Sequence, residues 1–124
     1  HYYKLSAEKG NLNSMYRYSY MLEHGIGVKK DKEEACKYYR ISAENGNTNS
    51  MYRYGFLLEY GLGVKKDIDE AGKYYEKAFL AGNKKAESDY SRIKEQIKND
   101  KNQFYWKLLL SMIIIIINFS LFLL

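Results

Sequence analysis

The chain repeats itself every 36 residues. His24-Gly25-Ile26-Gly27-Val28-Lys29-Lys30-Asp31 returns as Tyr60-Gly61-Leu62-Gly63-Val64-Lys65-Lys66-Asp67, and Met15-Tyr16-Arg17-Tyr18 returns as Met51-Tyr52-Arg53-Tyr54. Tyr2-Tyr3, Tyr38-Tyr39 and Tyr74-Tyr75 carry the period through three copies, as do Gly10, Gly46 and Gly82. A period of this length leaves few folds open. One unit is too short to enclose a core, so successive units must stack and share their apolar faces. Function in such an array belongs on an extended surface rather than in a catalytic cleft.

Within one period the helices follow from their start and stop signals. Asp67 followed by Glu70, and Asp31 followed by Glu34, read as capping boxes in which each side chain satisfies a free N–H of the first turn. From there Ala71, Tyr74, Tyr75, Ala78 and Phe79 recur at three- and four-residue steps, one apolar stripe of a helix B that Gly82 stops with a left-handed residue. Helix A is expected over about Ser50 to Glu59, with Ser50, Tyr54, Leu57 and Leu58 on its stripe. Gly55 lies beside that stripe, where a side chain would hold the neighbouring backbone away. Gly61-Leu62-Gly63-Val64 makes the turn between them, and Gly25, Gly27 and Gly46 hold the matching places one period earlier. Each unit is an αα-hairpin.

These residues resemble the Sel1-like repeat, a relative of the tetratricopeptide repeat. Gly61, Gly63, Val64, Asp67, Ala71, Tyr74, Tyr75, Ala78 and Gly82 follow its pattern in one copy, and Gly25, Gly27, Val28, Asp31, Ala35, Tyr38, Tyr39, Ala43 and Gly46 in the other. Ser14 and Ser50 replace its leading alanine, Ser19 its helix-A glycine in the first copy, and Ser42 one closing alanine. The resemblance implies an all-α fold: a right-handed α-solenoid of 36-residue helix-turn-helix repeats, here followed by a single hydrophobic helix. The expected layout is the end of a truncated repeat over 1–10, whole repeats over 11–46 and 47–82, a polar capping helix over 83–102, and a transmembrane helix over 104–124. The chain begins at His1 in the middle of a helix B, as a piece of a longer array would.

The composition of the last segment differs completely. From Leu108 to Leu124 only Ser111, Asn118 and Ser120 are polar, and Tyr105, Trp106 and Lys107 stand just before it, where an interface takes aromatic and basic side chains. As a helix this stretch rises about 25 Å, and Phe104 to Trp106 extend it toward the ~30 Å of a hydrocarbon core. It is read as a C-terminal, single-pass membrane anchor; the alternatives are a sticky buried helix or a wrongly read frame. Arg92, Lys94, Lys98, Lys101 and Lys107 precede the span and nothing positive follows it, which places the repeats in the cytosol. The sole glycosylation sequon, Asn118-Phe119-Ser120, falls inside the apolar stretch and agrees with that side. The other topology puts the repeats in the lumen of the endoplasmic reticulum.

Several function classes lose ground on the same residues. A net charge of +5 invites a nucleic-acid reading, but Lys29-Lys30 and Lys65-Lys66 are each followed by an aspartate and further acids, as on a solvated edge and unlike a phosphate track. Near a membrane the same edge would face anionic headgroups. The single cysteine, Cys36, allows no internal disulfide framework, so the cysteine-rich bacterial subgroup of the family is a poor guide. His1 and His24 are the only histidines, and Tyr60 takes the place of His24 one period on, as at a variable loop position. Glu33-Glu34 and Asp69-Glu70 suit the positive end of a helix dipole and need no catalytic role. Nothing calls for a catalytic residue, a cofactor, a metal or a small-molecule substrate.

Tyrosine remains, at 14 of 124 residues. Tyr38, Tyr39, Tyr74 and Tyr75 are assigned to packing between helices, with each hydroxyl in need of a partner. Tyr16 and Tyr20, and their counterparts Tyr52 and Phe56, lie on helix A off its packed stripe, with Arg17 and Arg53 beside them. Aromatics with arginine dominate binding hot spots, so this ladder is the candidate partner-binding face, with packing against the next helix A as its other reading. The resulting expectation is a non-enzymatic adaptor that binds proteins on the concave helix-A face. The family implies two further forms: a luminal adaptor of an endoplasmic-reticulum degradation ubiquitin ligase, or, with no true span, a soluble signalling regulator.

Overall fold

The computed structural model describes residues 2–124, except for the side chain of Tyr2. His1, where the truncated repeat was expected to begin, lies outside the described residues. The described chain forms α1 (Tyr2–Glu8), α2 (Leu12–His24), α3 (Lys32–Glu44), α4 (Thr48–Tyr60), α5 (Ile68–Leu80) and α6 (Lys85–Leu123), with no strand among the described residues. The expected all-α solenoid is found: α2 and α4 are the A helices, α3 and α5 the B helices. His24, expected in a variable loop, is instead the last residue of α2.

Side-chain caps start the four repeat helices, but not all as expected. Asn11 Oδ1 accepts from the Ser14 N–H and Asn47 Oδ1 from the Ser50 N–H, each at 2.9 Å, so helix A begins at Thr48, two residues before the place the apolar stripe suggested. Asp31 and Asp67 cap the B helices by accepting from the Glu34 and Glu70 N–H at 3.0 and 2.9 Å. The reciprocal half of the capping box does not form. The Asp31 and Asp67 N–H groups already donate to the carbonyls of Leu22 and Leu58, at 2.8 and 2.9 Å, which tie the start of helix B to its own helix A. Glu34 and Glu70 turn instead toward Lys37 and Lys73 on the next turn, at 3.7 and 3.3 Å.

The stack buries small residues and tyrosines together. Ala35, Ala71, Ala78, Tyr39, Tyr75 and Leu57 are inaccessible to solvent, and Tyr18 and Tyr54 pack their rings on Tyr38 and Tyr74, with centroids 5.2 and 4.8 Å apart. The expected close approach at Gly55 is present: a Cβ there would lie 3.1 Å from Tyr75 Cδ1 and 3.3 Å from the Ala71 carbonyl oxygen. Ser19 fills the same place in the first copy and donates its hydroxyl to the Met15 carbonyl at 2.6 Å. Gly63 meets the preceding hairpin. Its φ is +72°, and a Cβ on it would lie 2.5 Å from the carbonyl carbon of Lys32, at the start of α3, an overlap with backbone that cannot yield cheaply. Gly27, one period earlier at φ +67°, has only Met21 Cε at 3.7 Å.

The chain divides into two compact units, one up to Ile93 and one from Lys94 to Leu124. In the first unit, Ala86 and Ile93 on the opening turns of α6 are fully buried. In the second, α6 runs without a break through residues 102–104, and its apolar residues from Phe104 onward are exposed.

Candidate partner-binding groove

Each hairpin is joined to the next by a charged clamp. Glu23, in the last turn of α2, is buried, and it accepts at Oε2 both the Tyr39 hydroxyl, at 3.0 Å, and Nε of Arg53, at 2.9 Å. A second Arg53 nitrogen donates to Glu23 Oε1, completing a fork from the next repeat's helix A. One period on, Glu59 accepts the Tyr75 hydroxyl at 2.6 Å and two nitrogens of Arg92 at 2.6 and 3.0 Å. Burial pushes the Glu23 carboxyl up, but the hydrogen bond and charge of Arg53, with the Tyr39 hydroxyl, hold it below its ordinary 4.5. Burial and the adjoining glutamates push Tyr39 and Tyr75 far above the usual phenol range, so both stay protonated donors. The bond to Glu23 raises Arg53 against the effect of burial, and bonds to Glu59 and Asp89 raise Arg92.

The glutamates were not foreseen. Their sequence signal is an acid repeated at the period in the last turn of helix A, where the helix dipole disfavours negative charge. The arginine of the second clamp is not at the repeated position, because the residue 36 after Arg53 is Asp89. Arg92 takes over from the next turn of α6, and Asp89 accepts from it at 3.0 Å and from the Tyr52 hydroxyl at 2.9 Å.

Above these clamps lies a groove of about 590 Å³. Tyr16 and Tyr20 of α2 and Asn49, Tyr52 and Arg53 of α4 line it, and the segment Ala81 to Lys85 closes its far side. Lys84 and Lys85 bring positive charge, and no acidic residue is among the lining side chains. Tyr16 and Tyr52 each back onto the buried tyrosine of their own hairpin, with centroids 5.9 Å from Tyr39 and 5.6 Å from Tyr75. Burial and the bond to Asp89 push the Tyr52 phenol up to about 12. Tyr20 is 43% exposed and rests on His24, ring centroids 4.3 Å apart.

The structure thus brings four of the six candidate residues to one groove. Arg53 is largely committed to Glu23, with its guanidinium carbon 4.6 Å from the Phe56 ring centroid. Phe56 packs on Tyr60 at 4.8 Å and is not part of the groove lining. Arg17 sits over the Tyr3 ring at 5.7 Å, beside a smaller apolar hollow that Tyr16, Tyr20, Met21 and Ile26 share. Cys36 is buried, its thiol donating to the Leu62 carbonyl of the next repeat at 3.2 Å, and burial with the nearby Glu23 and Glu33 pushes it up to about 11. Among the described residues no group of His, Cys, Asp and Glu is placed to hold a metal ion.

The Sel1 repeat pattern matches residues 1–11, 12–47 and 48–83, each whole repeat one residue later than the boundaries read from the helices. The chain belongs to the Sel1 repeat family. It is similar to a Sel1 repeat protein of Oxalobacter formigenes, with 31% identity and a TM-score of 0.69 over 71% of this chain and 36% of that one. It is also similar to a protective antigen of uropathogenic Escherichia coli with an SLR fold, at 28% identity and a TM-score of 0.73 over 76% of this chain and 20% of that one. The chain therefore spans about a third of the first and a fifth of the second. No curated protein matches it. Proteins built of Sel1 repeats are in general protein-interaction adaptors.

Proposed function

We propose that this Sel1 repeat chain is a non-enzymatic adaptor, anchored in a membrane by the apolar part of α6, that binds a protein segment along the helix-A groove. The groove carries this reading. It joins rigid aromatics from consecutive repeats, and rigid aromatics bury large area at low entropic cost. Tyr16, Tyr20 and Tyr52 are its contact surface, Arg53 is its clamped edge, and Arg17 and Phe56 flank it. With Lys84 and Lys85 on one wall and no acid opposite, the fitting partner is an extended segment carrying acidic residues.

The anchor rests on composition: α6 holds the one stretch among the described residues long and apolar enough to cross a bilayer, and its apolar residues from Phe104 onward are exposed. The polar part of α6, from Lys85 to residue 102, is read as the cap expected over 83–102, and 104–124 as the span. The lysines before the span favour cytosolic repeats over luminal ones.

Photo-crosslinkers placed at Tyr20 and, as a control on the outer face of helix B, at Lys73 test the groove in membranes from cells making the full chain. Discrete adducts from position 20 and none from 73 are expected. Adducts from position 73 alone would move the binding face to the B helices. Carbonate extraction of the same membranes tests the anchor, since a chain without a span appears in the supernatant, and protease protection reports the side.

A further inference from the structure

Asn118 is the one carboxamide in an apolar run from Leu108 to Leu124. It is exposed, and its side chain makes no hydrogen bond among the described residues. The run's two serines pose a smaller problem. A serine hydroxyl can turn back onto the carbonyl four residues earlier, as Ser19 does onto Met15 at 2.6 Å. An asparagine carries two N–H donors and a carbonyl acceptor; one N–H can turn back onto the carbonyl four residues earlier, as Asn45 does onto Ile41 at 2.7 Å, but the other N–H and the acceptor find no partner in the ladder of their own helix. Asn118 is ten residues, about 15 Å, from Leu108 and six residues, about 9 Å, from Leu124 along the axis, more than so short a side chain can reach at either end of the apolar run.

The residues on the same side of the helix complete the surface. Leu108, Ser111, Ile115, Asn118 and Phe122 follow one another at alternating three- and four-residue steps, the seam along which two helices wind about each other at a shallow left-handed angle. Leu108, Ile115 and Phe122 are 49, 65 and 85% exposed, and Ser111 is small enough to let backbones approach. In lipid this seam gains little from burial alone, because lipid tails are as apolar as leucine. An amide pair that hydrocarbon cannot satisfy supplies the preference.

We infer that α6 pairs in parallel with α6 of a second copy of this chain through the Leu108–Ser111–Ile115–Asn118–Phe122 seam, the two Asn118 side chains donating to each other. A second copy is the occupant the chemistry selects. Two copies with the same topology hold Asn118 at the same depth, and a two-fold axis brings it onto itself with donor facing acceptor. A different membrane protein would need its own polar group at that level. Pairing would also set two helix-A grooves on one assembly, so that a partner with two acidic segments binds by avidity.

This inference rests on the reading of 104–124 as a span, and the test separates the two. The full chain is purified in detergent and reconstituted in phosphatidylcholine vesicles at several lipid ratios, with donor and acceptor dyes on its N-terminus. Wild type, Asn118→Leu and Asn118→Gln are compared by energy transfer, and carbonate extraction is run on each. Expected are membrane retention of all three, pairing by wild type and Asn118→Gln, and a dissociation constant roughly tenfold higher for Asn118→Leu. Retention with no energy transfer in wild type, or equal pairing by wild type and Asn118→Leu, overturns the seam while leaving the span intact. Release of wild type by carbonate removes the span, and the pairing with it.

Discussion

Replacing Gly63 and Gly27 separately with alanine isolates the contact between hairpins from the local conformation of the turn. The two glycines have the same place in the repeat and nearly the same φ, +72° and +67°. An alanine in the left-handed region costs about 1 kcal/mol at either position. At Gly27 nothing more is added, because the nearest atom to a new Cβ is the mobile end of Met21 at 3.7 Å. At Gly63 the new methyl would sit 2.8 Å from Lys32 Cβ and closer still to the Lys32 carbonyl, so the turn must lift away from the start of α3. Overpacking of that kind adds about 1–3 kcal/mol. For a repeat unit of this size each kcal/mol moves the melting temperature by roughly 4–8 °C, so Gly63→Ala should melt at least about 4 °C below Gly27→Ala. The full chain in mild detergent, followed by near-UV circular dichroism, reports this directly, since every tyrosine except Tyr105 precedes Lys94. Equal melting temperatures for the two variants would refute the claim that Gly63 is where one hairpin seats on the previous one.

The clamp at Glu23 gives a second expectation: Tyr39→Phe costs about 1–2 kcal/mol, the loss of a bond to a charged acceptor, whereas Glu23→Ala costs about 3 kcal/mol or more because Arg53 loses its buried partner. Urea denaturation orders the two, and a Glu23→Ala variant as stable as Tyr39→Phe contradicts the clamp. Because the folded Glu23 carboxyl lies below its ordinary 4.5, its contribution is complete above that pH and is lost as pH falls through the folded value. The drop in melting temperature between pH 7 and about pH 3 should therefore shrink in Glu23→Gln, and an unchanged drop counts against the assignment. Cys36, pushed up to about 11, should react with iodoacetamide at pH 7.5 roughly two orders of magnitude more slowly in the folded chain than in urea, where a thiol titrates near 8.5; similar rates would show that the thiol is not held as described.

The sequence by itself determined the repeating unit, because the contacts that shape one hairpin join near neighbours and recur in every copy. The 36-residue period, the Asp31 and Asp67 caps, the place of Gly55 against helix B and the apolar end of the chain were all legible there. The start of helix A was misjudged because Asn47 caps through a polar side chain that leaves no mark in the apolar stripe. Of the six residues of the ladder four line one groove, and the sequence did not mark which. Which rings line the groove depends on where the Ala81 to Lys85 segment passes, far along the chain from Tyr16. Tertiary structure alone revealed the clamps. Glu23 and Arg53 lie 30 residues apart, Glu59 and Arg92 33 apart, and this change in spacing hides the second pair from any fixed period. The period records what each unit does with itself; the pairing of a buried charge across two units is set by the angle at which they stack, and at the end of the stack Asp89 occupies the repeated arginine position while Arg92, one turn later, is the residue that reaches Glu59.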